Sequence, residues 1–167
     1  AVGKSALGAN TTGARNTAVG TSTLLASTGN DNTAVGYNAM VSNTTASGNT
    51  ATGKNALYTN TTGYSNVAAG MHALYTNNGN NNTAIGYYAM EVATTGSQNT
   101  AVGSYAMDAL TTGGYNDAFG YAALGSCTTG GNNVGLGTHA LGNLTTGQQN
   151  VAIGHHAMLD VTTGNYN

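Results

Sequence analysis

The chain has 167 residues, of which only 5% are charged, with a formal net charge of -2, 26 glycines, and neither proline nor tryptophan. Ordinary soluble domains carry about 25% charged residues. A near-neutral chain this poor in Lys and Arg has no electrostatic footprint for nucleic acid or an anionic membrane surface, and no apolar run approaches the roughly 18 residues of a spanning helix.

One short sentence recurs ten times along the chain. It reads Asn-Thr-Ala-Val-Gly, two variable residues, Ala-Leu, a variable stretch, and Thr-Thr-Gly. The Ala-Val-Gly core begins at Ala1, Ala18, Ala34, Ala51, Ala68, Ala84, Ala101, Ala118, Gly135 and Ala152, a spacing of seventeen residues twice shortened to sixteen. Apolar residues held at fixed phase argue against low-complexity disorder. A fixed period of this length predicts an all-β repeat solenoid over residues 1–167: one domain of ten coils, compatible with a segment of a longer fibre.

Each coil is described by phase, with the first residue of Ala-Val-Gly as 0. At phase -2 stands Asn: Asn16, Asn32, Asn49, Asn66, Asn82, Asn99, Asn116, Asn133 and Asn150, with Asn167 following. Stacking of like phases about 4.8 Å apart predicts an Asn ladder whose amides bond from coil to coil and cap turn groups. Phases -1 to +1 read Thr-Ala-Val and predict a first strand, with the β-branched residues on one face as part of a thin apolar column. Phase +2 is Gly in all ten repeats: Gly3, Gly20, Gly36, Gly53, Gly70, Gly86, Gly103, Gly120, Gly137 and Gly154. It ends or bends that strand.

A second strand is expected near phases +5 to +8, carrying Ala and then Leu or Met. The Thr-Thr-Gly turn follows. Both one-residue deletions fall in that turn, near Ser27-Thr28-Gly29 and Asn77-Asn78-Gly79, where a lost residue does not invert a strand. The Ala stripes at 0 and +5 suit close approach of a neighbouring chain. Cys127 is alone and makes no internal disulfide; its phase, shared with Asn43, Ala93, Leu110, Leu144 and Val161, reads as filler.

Chemistry-bearing residues gather at the variable phases. His139, His155 and His156 would be the only set for a metal, yet no acidic or cysteine partner recurs beside them. Glu91 and Asp108 stack at one phase, but a convex ladder predicts no cleft for a glycosidase pair. Phosphate loops, nucleotide fingerprints and Ser-His-Asp constellations are missing from the sequence. No catalytic, cofactor or metal site is therefore expected, and the chain reads as a non-enzyme. The candidate contact residues are Tyr37, Tyr58, Tyr75, Tyr87, Tyr88, Tyr105 and Tyr121. Tyr offers apolar area with a polar tip, and neighbours such as Tyr58 and Tyr75 are also placed to stack across coils. The Thr-Thr turns predict a second exposed ladder, open to ice, glycan or O-glycosylation. Asn10, Asn43, Asn60, Asn81 and Asn143 stand in Asn-x-Ser/Thr triplets.

The segments Asn99-Thr100-Ala101-Val102-Gly103-Ser104-Tyr105-Ala106 and Asn150-Val151-Ala152-Ile153-Gly154-His155-His156-Ala157 resemble the head repeats of trimeric autotransporter adhesins, the YadA-like family. The resemblance runs through all ten repeats. The repeats are also similar to parts of phage tail fibres and bacterial surface fibres. The resemblance implies a left-handed parallel β-roll, three chains side by side, and attachment of an extracellular or cell-surface fibre to a host protein or glycan. The coil here is longer than is usual in that family, through its Thr-Thr-Gly turn. Two further readings are a virion tail-fibre segment, and a monomeric ice- or glycan-binding solenoid. Self-association into a homotrimer or an end-to-end filament is the expected partnership, without nucleic acid or membrane insertion.

Overall fold

Short runs of β-formers bounded by Asn and Gly have room for only one strand per coil. The computed structural model, which describes all 167 residues, contains nine such strands. They are β1 (Thr17–Val19), β2 (Thr33–Val35), β3 (Thr50–Thr52), β4 (Val67–Ala69), β5 (Thr83–Ile85), β6 (Thr100–Val102), β7 (Asp117–Phe119), β8 (Val134–Leu136) and β9 (Val151–Ile153). All lie in one sheet in sequence order, each parallel to its neighbours. Val2 bridges Val19 and extends the same ladder into the first repeat. The result is a parallel β-solenoid of about eight turns, at roughly 17 residues a turn.

Register follows phase. Ala18 pairs with Ala34, and Val67 with Thr83, across the two shortened coils. The deletions are absorbed in the turns, as the pattern predicts, and every strand keeps its inward face. In one short coil, Asn77 caps Gly79 from two residues away. In a full-length coil Asn60 caps Gly63 from three.

The expected second strand does not form. Phases +3 to +8 run as turns, and phases +4 and +6 both take positive φ. At phase +6, φ lies between 48° and 54° in every coil, from Leu24 at 48° to Leu141 at 54°. A left-handed backbone is a severe outlier for a β-branched side chain. That is why this buried apolar position is always Leu or Met, never Val or Ile. Phase -3, from Arg15 to Tyr166, is left-handed too, and it also excludes Thr, Val and Ile in a Thr-rich chain. These segments still bond coil to coil: Leu74 N–H donates to Ala89 O at 3.0 Å and Thr111 N–H to Thr128 O at 2.8 Å. Of 106 backbone hydrogen bonds, 90 lie outside the strands, so the turns hold most of the ladder.

The core is also reversed from the sequence reading. Each strand buries its central Ala or Gly and turns its outer two residues away. In the end coils Ala1 is exposed and Ala6 and Ala157 are half-buried. The Ala stripes otherwise lie inside, at phase 0 from Ala18 to Ala152 and at phase +5 from Ala39 to Ala140, packed on the Leu/Met column and on Ala93, Leu110, Cys127 and Leu144. They are not free for another chain. The apolar column is therefore Ala and Leu/Met, and the Val/Ile row is on the surface. The space inside the strand at phase 0 is filled by small Ala or Gly in every coil, and the one β-branched residue in the Ala stripes, Thr23 at +5, is buried with its hydroxyl donating to Gly36 O at 2.7 Å. No helix is long and apolar enough to cross a membrane.

Candidate functional site

The interior ladders build the scaffold. Asn32 through Asn150 are buried, with Asn16 half-buried at the first full coil. Each side chain works in two directions. Asn99 Oδ1 accepts the Asn116 N–H at 3.0 Å and the Asn116 Nδ2 at 3.1 Å, while Asn99 Nδ2 donates to Gly113 O at 3.0 Å. The pattern repeats at Asn133 and Asn150. At Asn49, Asn66 and Asn82 the Nδ2 likewise reaches the turn carbonyl of the next coil. Buried amides are thus satisfied by the neighbouring coil.

The phase +2 glycines, from Gly20 to Gly154, hold φ between 126° and 146°. A Cβ on Gly20, Gly36, Gly53, Gly70, Gly86, Gly103, Gly120 or Gly137 would fall on the carbonyl of the same glycine one coil on. At Gly154 a Cβ would meet only the Ala157 Cβ at 3.9 Å. Stacking therefore adds a second constraint to the backbone angle.

Two surfaces are built on this scaffold. The first is the outer face of the sheet. Val19, Val35, Ile85, Phe119, Leu136 and Ile153 lie in one row at phase +1, with Ile85 43% and Ile153 69% exposed. Thr17, Thr33, Thr50 and Thr100 flank it at phase -1, a row interrupted by Val67, Asp117, Val134 and Val151.

The second surface is an aromatic row at phases +3, +4 and +7. Tyr58 stacks on Tyr75 (centroids 4.9 Å, planes 8° apart), Tyr75 on His72, and His72 on Tyr88, each at 4.7 Å. Tyr88 meets Tyr87 and Tyr105, and Tyr105 meets Tyr121 edge-on at 5.9 Å. The row continues through His139 and His156 to His155. The separations between coils suit aromatic pairing, and the two pairs of chain neighbours, Tyr87 with Tyr88 at 4.3 Å and His155 with His156 at 3.9 Å, are closer. Six of the seven candidate tyrosines belong to this row; Tyr37 stands apart and exposed. Sequence reasoning missed the four histidines as members, although they share the tyrosines' phases. Tyr88 is raised above the ordinary tyrosine pKa, chiefly by its hydrogen bond to Tyr87. His156 is lowered by desolvation and by His155 and His139 beside it. His72 Nδ1 lies 3.2 Å from Glu91 Oε1 and its Nε2 lies 3.2 Å from Asn55 Nδ2. The three C-terminal imidazoles meet as packed rings; no three His, Cys, Asp or Glu groups converge to hold a metal ion.

Beside the row, side chains are missing at one place. Phase +7 carries Gly8, Leu25 and Val41, then Tyr58, Tyr75, Glu91 and Asp108, then Gly125 and Gly142, then Leu159. Where the side chains vanish, a groove of about 620 Å³ opens, walled by Tyr105, Asp108, Tyr121 and His139. Asp108 is half-buried there, and desolvation, followed by Glu91, raises its carboxyl above the ordinary range.

The remaining candidates are used structurally. From Thr28 to Thr145 the first Thr of the turn pair spends its hydroxyl on the next coil, as Thr111 Oγ1 does on Thr128 O at 3.0 Å, which leaves the second Thr of each pair as the free hydroxyl row. Asn43 and Asn60 are buried in turn caps and closed to glycosylation in the folded chain; Asn81 and Asn143 are exposed. Cys127 is buried, and desolvation pushes its thiol up to about 11. No family model matches the chain, and no curated protein or solved structure matches it significantly.

Proposed function

We propose that this solenoid is a non-catalytic module of an extracellular fibre, assembled side by side through its sheet face and attaching to a surface through its aromatic row. The observation that carries the reading is the outward row at phase +1, which runs from Val2 through Val19 and Val35 and, past Thr52 and Ala69, through Ile85, Val102, Phe119 and Leu136 to Ile153. It runs about 40 Å at a strand spacing near 4.8 Å. Its longest run of large apolar residues, from Ile85 to Ile153, spans about 20 Å, and exposed apolar surface gathered in this way marks a contact face. The contact stripe is the Val/Ile row, in place of the buried Ala stripes. Three chains in a left-handed roll, as the YadA-like resemblance implies, would bring three such stripes to one axis and leave the aromatic rows outside.

Light scattering across a concentration series tests the assembly. A three-chain mass, reduced by Val35→Lys with Ile85→Lys while circular dichroism is unchanged, is the expected result. A one-chain mass for the unmodified protein refutes it. That outcome would leave the monomeric ice- or glycan-binding reading. Against ice binding stands the Thr row of the sheet, which Val67, Asp117, Val134 and Val151 interrupt. A virion tail fibre would use the same two surfaces.

A further inference from the structure

We infer that the groove beside the aromatic row is a binding site for a neutral saccharide of one or two pyranose rings. The inference deepens the attachment reading and rests on it, but not on how many chains assemble. The argument begins with the floor. Gly125 and Gly142 stand on successive coils at a phase that carries Gly8 in the first coil and elsewhere Leu25, Val41, Tyr58, Tyr75, Glu91, Asp108 and Leu159. Neither needs glycine for its backbone angle. Nor is Gly125 crowded by the next coil: a Cβ there would meet Ala122 O at 3.2 Å and Asp108 Oδ1 at 3.5 Å, both lining atoms of the groove. Ala122, at a phase that carries Tyr105 one coil before and His139 one coil after, removes a third side chain. The scaffold takes bulk at these phases, as at Tyr58, Tyr75 and Tyr105, and Ala122, Gly125 and Gly142 lose it together; at Gly142, which is buried, the Leu159 side chain reaches in, its Cδ1 2.9 Å from where a Cβ would stand. The gap spans two coil spacings, about 10 Å, along the rod.

The walls give the chemistry. Tyr105, Tyr121 and His139 border the space, and Tyr121 stands edge-on to both of the others, at 76° to Tyr105 and 74° to His139. Tyr121 is half exposed. Aromatic rings with apolar faces and polar tips suit a ligand that presents C–H on one side and hydroxyl groups at its rim. Asp108, Ser126 and Asn143 supply hydrogen-bonding side chains around them. No Lys or Arg lines the groove, and Asp108, with Glu91 one coil away, disfavours a carboxylate or phosphate. A flat, uncharged, hydroxyl-rich molecule fits this combination. The groove residues lie outside β1–β9, so assembly through the sheet face leaves the groove open.

The test is titration of the isotope-labelled protein with cellobiose, maltose and lactose, followed by NMR. Binding at a dissociation constant of about 1 mM is expected for so shallow a site. The expected shifts cluster at Tyr105, Tyr121, Gly125, His139 and Gly142. Gly125→Tyr restores the residue that phase +7 carries at Tyr58 and Tyr75, so it fills the groove with a side chain the coil already accepts; it should abolish the shifts. Tyr121→Ala should weaken binding about tenfold. No shifts with any of the three sugars at roughly 50 mM, or equal shifts in the folded Gly125→Tyr protein, would overturn the inference. Shifts confined to Tyr37, Tyr64 or Tyr115 would overturn it too. Failure with the three-chain mass intact removes the saccharide site alone. A one-chain mass with intact binding removes only the assembly.

Discussion

Ala46 offers a sharp test of how the turns are held. At phase -5, nine coils carry Gly and one carries Ala46. Where Gly is present behind an Asn, the two exchange a pair of hydrogen bonds. Asn10 donates to Gly13 O at 2.9 Å and accepts its N–H at 2.8 Å; Asn60 and Gly63 do the same at 2.9 and 3.0 Å. Asn43 keeps only the donor half, to Ala46 O at 3.1 Å and to Ser27 Oγ at 2.8 Å. The Ala46 N–H turns instead to Thr61 O at 3.2 Å, and Asn43 Oδ1 is buried without a partner. An orphaned buried acceptor costs about 1–3 kcal/mol. Ala46→Gly should let the turn close as at Gly63, against about 0.5–1 kcal/mol of added chain entropy. The net expectation is about 1 kcal/mol of stabilisation. Asn60→Ala, which leaves the Gly63 N–H unpaired, should cost about 2 kcal/mol, and Asn43→Ala clearly less. Urea unfolding at constant slope reads all three as midpoint shifts. A lowered midpoint for Ala46→Gly, or equal losses for Asn43→Ala and Asn60→Ala, would refute the reasoning.

Other expectations follow from the same geometry. Gly103→Ala meets both its φ of 138° and the Gly120 carbonyl, and should lose about 4 kcal/mol in urea unfolding. Gly48→Asn is the control: its φ of 69° is accessible to Asn and its Cβ meets nothing nearer than Ser65 Oγ at 3.7 Å, so a change above ~0.5 kcal/mol would count against this account. Met90→Leu should be nearly neutral, whereas Met90→Ile, at a φ of 50°, should lose about 2 kcal/mol; equal effects would refute the left-handed explanation of phase +6. Cys127 should react with a thiol reagent only after unfolding. Its folded pKa is raised from 9.0 to about 11, so its contribution to stability is complete below pH 9.0 and is lost as pH rises to about 11. Cys127→Ala should remove that part of the alkaline loss, measured as the difference between the two proteins' urea midpoints.

Much of the fold was legible because stacking makes each phase its own neighbour. The Asn at -2, the Gly at +2 and the site of the two deletions could be read as coil-to-coil constraints from their recurrence alone. The strand faces could not. Thr-Ala-Val alternates in the way a half-buried strand does, and periodicity does not say which half is inside; the narrow coil interior, which admits Ala68 and Ala84 but not Val67 or Ile85, decides it. The missing second strand has a similar cause. Ala-Leu and Ala-Met read as strand, but left-handed residues on either side of the Ala, such as Tyr88 and Met90 around Ala89, bend the chain. The clue was present as an exclusion, since no β-branched residue ever stands at +4 or +6. The groove was harder to see, because it is defined by missing side chains at Ala122, Gly125 and Gly142 in a chain with 26 glycines.

The phase that holds Cys127 shows how one scaffold changes its cohesion along its length. From Asn10 through Ser27, Asn43 and Asn60 to Asn77 this inward position is polar; from Ala93 through Leu110, Cys127 and Leu144 to Val161 it is apolar. In the first half, the Asn side chain closes its own turn, as at Asn60 and Asn77. In the second half, Leu110 and Leu144 fill that space, each with a Cδ1 beside the turn glycine. The ladder amides compensate. At Asn116, Asn133, Asn150 and Asn167, each Nδ2 bonds the Oδ1 of the preceding ladder Asn at 2.8–3.1 Å. Burial of Leu and Cys area and an unbroken amide ladder therefore act together in the C-terminal half. The aromatic groove lies in this half, between Tyr105 and Asn143. A site lined by missing side chains gives up contacts, and it sits where the interior behind it is packed with apolar groups.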